Sequence, residues 1–273
     1  MSCFRFLYRA LRYTFILLFI SACSLESSPW SVAVKSDHKD LTQKNLDKLF
    51  RQKPVYTKSQ NIRFAIIGDP QGTPEDFKRT IDEINQRQDV NFVLVLGDIT
   101  DYGLLHEYEW AADVIESSRI PVLTVIGNHD AIAHGKKIYT RMFGPFDYSF
   151  EYAGYRFLMW NNNLYEFGDE NFAWLQENAN EKSIVASHVP PVLDMHEQDD
   201  LDTWYSINQQ NNIIGSLHGH RGGKTSFLWQ DQEKPYYVVA RNRGERFALI
   251  TITDNDKLNI VECHKSCPVE DGQ

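Results

Sequence analysis

The chain reads as an α/β protein made of two packed, mixed β-sheets flanked by helices, a four-layer αββα sandwich. Two observations predict this. In the first half, short apolar runs end at Gly68-Asp69, Gly97-Asp98 and Gly127-Asn128, with helical segments between them. Strand–helix units in succession give parallel strands with helices outside. In the second half, apolar and polar residues alternate as antiparallel strands do. With 273 residues, 42% hydrophobic and 24% charged, the chain can bury a substantial core.

The elements follow in order. Leu41, Leu46, Leu49 and Phe50 recur at helical spacing and predict a short amphipathic helix inside a tether over residues 23–60. Its polar face mixes both charge signs, so its apolar stripe is expected to pack on the domain rather than on a membrane. The folded domain is expected over residues 61–262. Ile62–Ile67 and Phe92–Leu96 read as buried strands, and Thr73-Pro74-Glu75-Asp76 opens a helix to about Gln88, since acids suit the positive end of the helix dipole. A helix over Leu105–Ser118 precedes a third strand, Val122–Ile126. Tyr148–Tyr152 and Arg156–Trp160 flank Ala153-Gly154 as a hairpin, and a helix at about Asp169–Asn178 leads to a strand at Ser183–Ser187. Four more strands are expected at Thr225–Trp229, Pro235–Ala240, Phe247–Ile252 and Leu258–Val261. The acidic stretch between Pro191 and Asn212 carries His196, Trp204 and Tyr205. It reads either as a wall of the ligand pocket or as a solvated loop with buried aromatics.

The two ends carry signals of another kind. Arg5, Arg9 and Arg12 precede the apolar run Thr14–Ile20 and the small residues Ser21 and Ala22, which makes residues 1–22 a secretory leader. The run is shorter than the roughly 20 residues a membrane span needs. Ile20-Ser21-Ala22-Cys23 resembles a bacterial lipobox. That implies a lipidated Cys23, a lipid anchor in the membrane and a periplasm-facing place in the cell envelope, with Ser24 favouring the outer membrane. In the tail, residues 263–273, Cys263 and Cys267 can close a small loop as a disulfide in an oxidising compartment. The remaining thiols are too few to complete a metal site. The formal net charge of -9 argues against a nucleic-acid partner, and acids near Asp199-Asp200 would repel polyanions.

Polar residues gather where the strands end. Asp69, Asp98 and Asn128 each follow a glycine at the carboxyl end of an expected parallel strand, where α/β sheets hold their ligands. Histidines reach the same edge: His129-Asp130 behind Asn128, His188 after Ser187, and His218-Gly219-His220. Carboxylate, amide and imidazole donors together suit divalent manganese, iron or zinc.

The blocks Asp69-Pro70-Gln71, Gly97-Asp98-Ile99-Thr100-Asp101, Gly127-Asn128-His129-Asp130, Ser187-His188-Val189-Pro190-Pro191 and His218-Gly219-His220-Arg221-Gly222 occur in one order. They resemble the calcineurin-like metallophosphoesterases, over about Ile62 to Val261. The resemblance implies two divalent metal ions about 3.5–4 Å apart, with a hydroxide between them as nucleophile and a phosphoryl group clamped across them. It implies Asp98 as the shared ligand, Asn128, His188 and His220 as the rest of one position, and Asp69 in the other. Asn128 and His129 would meet the phosphate, His129 would protonate the leaving group, and Asp130 would orient its ring. Arg221 would help neutralise phosphate oxygens, or be only a solvated loop residue. Asp101 would support the site without ligating.

Two departures fall on one metal. The family's Asp-x-His has Gln71 in place of the histidine, and its Gly-His-x-His has Gly222. One position is therefore strong. The other keeps Asp69, a share of Asp98 and the carbonyl oxygen of Gln71. It would bind weakly, hold a harder ion, stay empty until substrate arrives, or gain a ligand from His134, His196 or His218. His218 is expected to stand behind the ligands rather than among them, while His38, His106 and His264 are expected to be solvated. The implied activity is metal-dependent hydrolysis of a small phosphomonoester or phosphodiester. The alternative is a degenerate homologue that keeps one metal for structure and serves as an envelope binding or scaffold lipoprotein. The intact Asn128-His129-Asp130 favours the enzyme.

Overall fold

In the computed structural model, strands distant in sequence meet at the centre of the first sheet. Residues 28, 30–57, 61–192, 194–221, 223, 227–231 and 234–267 are described by the structure. The chain separates into two units, Met1–Ser31 and Val32–Gln273. The leader, Cys23 and Gly222 lie outside the described residues.

The elements of the larger unit are α1 (Leu41–Arg51), β1 (Ile62–Ile67), α2 (Pro74–Gln86), β2 (Val93–Leu96), α3 (Leu105–Ser117), β3 (Val122–Val125), α4 (Gly135–Met142), β4 (Tyr148–Tyr152), β5 (Tyr155–Met159), α5 (Leu164–Phe167), α6 (Phe172–Asn178), β6 (Ser183–Ala186), α7 (Gln198–Asn211), β7 (Gly215–His218), β8 (Phe227–Asp231), β9 (Lys234–Val238), β10 (Arg246–Ile252) and β11 (Leu258–His264). A short 3₁₀ turn covers His129–Ala131. One sheet has five strands in the order β11-β10-β1-β2-β3, the other six in the order β4-β5-β6-β7-β9-β8.

Alternate residues of the strands sort into layers, as the period of two requires. Phe64, Ile66, Leu94 and Leu96 of the first sheet meet Phe157, Met159, Ala186 and Leu217 of the second in one core between the sheets. Ala65, Ile67, Val93 and Val95 point the other way, into a second core beneath α2, α3 and α4. Leu158 and Val185 turn outward onto Leu175 of α6 and Trp204 and Ile207 of α7. The two sheets are thus sandwiched between helices, the architecture expected.

Both sheets are mixed, as expected. In the second, β5, β6, β7 and β9 run in one direction and the outer pairs are antiparallel. The late strands pair antiparallel as their alternation predicts, β8 with β9 and β10 with β11, and β10 and β11 extend the first sheet, with Phe64 opposite Ile250. Two expectations need correction. The acidic segment is the 14-residue helix α7 rather than a loop, and Trp204 stacks on Trp160 with ring centroids 5.6 Å apart. His38 is buried, its Nε2 lying 3.0 Å from an Asp113 carboxylate oxygen.

Helix α1 packs on the domain. Leu41 and Leu49 are buried, Phe50 is exposed, and Asn45 takes its place by accepting the Val122 N–H at 2.9 Å. Cys263 and Cys267 are joined as a disulfide across the end of β11. Among the described residues no helix is long and apolar enough to cross a membrane.

Candidate metal centre

Both sheets end their parallel strands at one seam. From the first sheet come Asp69 after β1, Asp98 after β2 and Asn128 after β3; from the second come His188 after β6 and His220 after β7. Backbone bonds lace the loops together: Gln71 N–H donates to Asp98 O at 3.0 Å, and Gly219 N–H to His188 O at 3.1 Å.

The approach is close enough to require glycine. Gly97 has φ +84°, and a Cβ there would sit 2.5 Å from His188 Nδ1. A Cβ on Gly127 would sit 2.3 Å from Asp98 Oδ1. Asp69, Asp98 and His220 themselves hold left-handed backbone, at φ 40°, 52° and 62°. Side chains rarely adopt that region, and such residues persist where surrounding structure holds them there.

The side chains converge on one point. His188 Nδ1 donates to Leu96 O at 2.8 Å, because a carbonyl can only accept. Its Nε2 therefore offers a lone pair towards the seam, 3.0 Å from Asn128 Oδ1 and 3.4 Å from Asp98 Oδ1. His220 Nδ1 lies 3.0 Å from both His188 Nε2 and Asn128 Oδ1. Asp98, His188 and His220 form one of two clusters with ligand atoms within 4.8 Å of one another among the described residues. Four acceptors facing each other at these distances fit a divalent cation, which replaces mutual repulsion with coordination.

Charge is correspondingly crowded. Without a metal ion, burial lowers the affinity of His188 for a proton, yet the Asp98 carboxylate beside it outweighs burial and holds its pKa up to about 9, so a bound ion would displace the Nε2 proton. Burial and the His188 charge push His220 down to about 4. Burial, with Asp98 nearby, raises Asp69 to about 6.

His129 stands beside this cluster. Its backbone N–H donates to Asp98 Oδ1 at 3.0 Å, and its ring Nδ1 donates to the backbone carbonyl of Asp101 at 2.9 Å. Asp130 does not orient this ring, contrary to expectation. Its carboxylate is fully buried, accepting Thr100 N–H and Oγ1–H and Gly127 N–H at 2.8–2.9 Å, so it fastens the β2 and β3 loops together.

Other candidates are turned elsewhere. Arg221 pairs with Asp194. His196 bonds Glu170 through Nδ1 at 2.7 Å and faces Pro190 O through Nε2. His218 is buried between the Ser187 and Ser216 hydroxyls, at 3.0 and 2.8 Å, behind the ligands as expected. His134 is exposed at the start of α4. None of the three histidines joins the cluster. Gln71 does not offer its carbonyl either. Its amide lies between Thr100 O and Arg241, and the orientation that satisfies both ends has the nitrogen donating to Thr100 O at 3.1 Å and the oxygen accepting from Arg241.

Arg241, Asn162 and Asn163 are the residues the sequence reading missed. Asn162 holds both the N–H and C=O of Val189, at 3.0 and 2.6 Å, and so fixes the loop after His188. Asn163 donates to Ile126 O at 2.9 Å. The run Asn161-Asn162-Asn163 at the end of an apolar strand was the available signal. Arg241, just after β9, has its Nε 3.7 Å from Asp69 Oδ2.

Comparison with known proteins agrees with this geometry. A family model described as calcineurin-like phosphoesterase matches residues 62–223, more than half of the chain. A curated relative from Moraxella catarrhalis (strain BBH18), described as a probable cyclic nucleotide phosphodiesterase, is 27% identical over a match covering 46% of this chain and 56% of that protein. The chain thus spans about half the length of the curated relative it matches. Two solved structures share the fold at low identity. GAP50, described as the anchor in the inner membrane complex of Plasmodium, has a TM-score of 0.56 at 11% identity, covering 78% of this chain and 86% of that one. A 5'-nucleotidase from Candida albicans SC5314 has a TM-score of 0.52 at 12% identity, covering 78% of this chain and 54% of that one.

Proposed function

The chain belongs to the calcineurin-like phosphoesterase family, and from that premise we propose that it is a metal-dependent hydrolase of small phosphate esters. The observation that carries the reading is the convergence of Asp98, Asn128, His188 and His220 with His129 alongside. A divalent ion held by those four residues would supply Lewis acidity to a phosphoryl oxygen and would make water a better nucleophile.

The remaining steps belong to this chain's own residues. His188 is locked by Leu96 O with its Nε2 lone pair facing inward. His129 presents Nε2 outward while Asp101 O holds Nδ1–H, so a proton on Nε2 can pass to the oxygen of a departing alcohol. Asp98 Oδ1 fixes the backbone of His129 and couples the acid to the ligand cluster. The name of the Moraxella relative supports a phosphodiester, with cyclic nucleotides the first substrates to assay.

The test uses the full-length chain in detergent, loaded with manganese, iron or zinc and offered phosphomonoesters, phosphodiesters and cyclic nucleotides. We expect turnover, and His129→Ala should lower it by about 10²–10⁴-fold with metal content unchanged. Turnover absent with every metal and ester would sink the enzyme reading. The binding-lipoprotein alternative draws on Gln71 and would then stand.

We further propose that Cys23 is lipidated and anchors the protein on the periplasmic side of the cell envelope. Ile20-Ser21-Ala22-Cys23 behind a basic and apolar leader supports this. Cys23→Ser should move the chain from the membrane to the soluble fraction; unchanged membrane association would refute the anchor.

A further inference from the structure

The position occupied by the second metal in this family does not fit a metal here. Asp69 is engaged by other groups: Oδ1 accepts the His220 N–H at 2.9 Å, and Oδ2 forms an ion pair with the Arg241 guanidinium, whose Nε lies at 3.7 Å. Gln71 closes the other side, its amide oxygen accepting from Arg241 and its nitrogen donating to Thr100 O. Besides its share of Asp98, a metal here would need the Asp69 carboxylate and the Gln71 amide oxygen, and both residues face the guanidinium.

Arg241 is placed there by the fold rather than by a mobile tether. Gly68 and Arg241 form a parallel bridge, and the adjacent Asn242 donates its N–H to Gly68 O at 2.8 Å. The side chain of Asn242 is tied in turn to Thr80 Oγ1 and Arg246 O, at 2.9 and 2.8 Å. The base of Arg241 is therefore anchored beside the strand end that carries Asp69. Its side chain remains 42% exposed, so part of the fork faces outward.

We propose that this protein holds one metal ion, and that the Arg241 guanidinium stands where its relatives hold a second and binds the phosphoryl oxygens of the substrate. The physical argument is one of charge and shape. A guanidinium supplies a permanent positive charge without coordination by imidazoles, and the chain has Gln71 and Gly222 where the family has histidines. It presents several donors in a planar fork, two for Gln71 and Asp69 and others for a phosphate edge. It also acts as a charge-assisted donor, stronger than a neutral one. Arg221, which its sequence position nominates for this role, is paired with Asp194 and is the less available cation.

The inference deepens the proposed hydrolase, but its test does not need turnover. The full-length chain is dialysed against excess manganese, and metal per chain is measured alongside calorimetric binding of inorganic phosphate. One ion per chain is expected in the wild type. Arg241→Ala should keep that ion and weaken phosphate binding by about tenfold or more, the loss expected for a hydrogen bond to a charged group. Arg241→Lys, which keeps the charge and loses the fork, should fall between them; it also carries the comparison if the alanine variant does not fold. Two ions per wild-type chain, or phosphate affinity indifferent to Arg241, would overturn the proposal. Absence of ester hydrolysis with one ion and Arg241-dependent phosphate binding would instead leave this inference standing and remove the hydrolase reading.

Discussion

The seam is held at the residue scale by atoms with no spare room. His188 can serve as a ligand only while Nδ1–H is fixed on Leu96 O, and that contact exists because Gly97 lacks a Cβ. Gly97→Ala is therefore expected to displace the ring, since the added carbon would lie 2.5 Å from Nδ1 on a backbone at φ +84°. Metal affinity should fall by about ten- to a hundredfold, as when a ligand loses its support from behind. Competition with a chelator would measure it, and unchanged affinity would refute the role. The same scale separates His129 from Asp130. They are neighbours in sequence, yet one ring faces the site and the other carboxylate is sealed beneath it, its pKa raised to about 7 by burial and then by Asp98. Asp130 acts on the geometry of the loops.

Among the elements, β1 lies at the centre of the first sheet. It pairs with β2 on one side and β10 on the other, and Asp69 hangs from its end. Arg63 on β1 is buried and donates to Thr251 Oγ1 of β10 at 2.9 Å and to Asp89 Oδ2, just before β2, at 2.5 Å. Half-burial works against the Asp89 carboxylate, but hydrogen bonds from Arg87 and Arg63 outweigh it and hold its pKa below the ordinary 3.8. A carboxyl so depressed stabilises the fold above its unfolded pKa and loses that contribution as pH falls through the folded value. Asp89→Asn should cost about 2 kcal/mol near neutral pH, because it leaves a buried guanidinium poorly paired. In urea titrations the gap to the wild type should narrow as pH falls below the ordinary carboxylate value and the wild-type group takes up its proton. A gap of constant size would contradict this. Helix α7 makes a different point about elements. Its acids face solvent while Leu201, Trp204 and Ile207 cover the second sheet, so a segment rich in acid is nonetheless a structural layer.

At the scale of the whole molecule, the metal position lies between the two sheets, so a bound ion links them. An ion that binds the folded state alone adds about 2.7 kcal/mol at a hundredfold excess over its dissociation constant. For a domain of this size that corresponds to about 5–10 °C in the thermal midpoint. Chelation should lower the midpoint by that amount, and returning manganese should restore it. A midpoint indifferent to chelation would mean that the four side chains hold no ion.

Much of this was legible in the chain alone. The ends of β1, β2 and β3, with Asp69, Asp98 and Asn128 on them and histidines arriving at the same edge, follow from local pattern, while the ligand set Asp98, Asn128, His188 and His220 and the depleted neighbour around Gln71 were implied by the family resemblance. Each ligand sits two or three residues beyond a strand end, and strands are set by short-range hydrophobic runs. Tertiary structure decided what depends on partners far away in sequence. It brought β10 against β1, ran β5, β6, β7 and β9 in one direction, assigned Asp130 to the loops and His218 to two serines, and set Arg241 against Asp69. No period or motif announces these contacts, because a side chain separated from its partner by most of the chain leaves no local trace of where folding will bring it. The sequence could therefore name a metal position that had lost its histidines, while only the fold could say that a guanidinium lies in it.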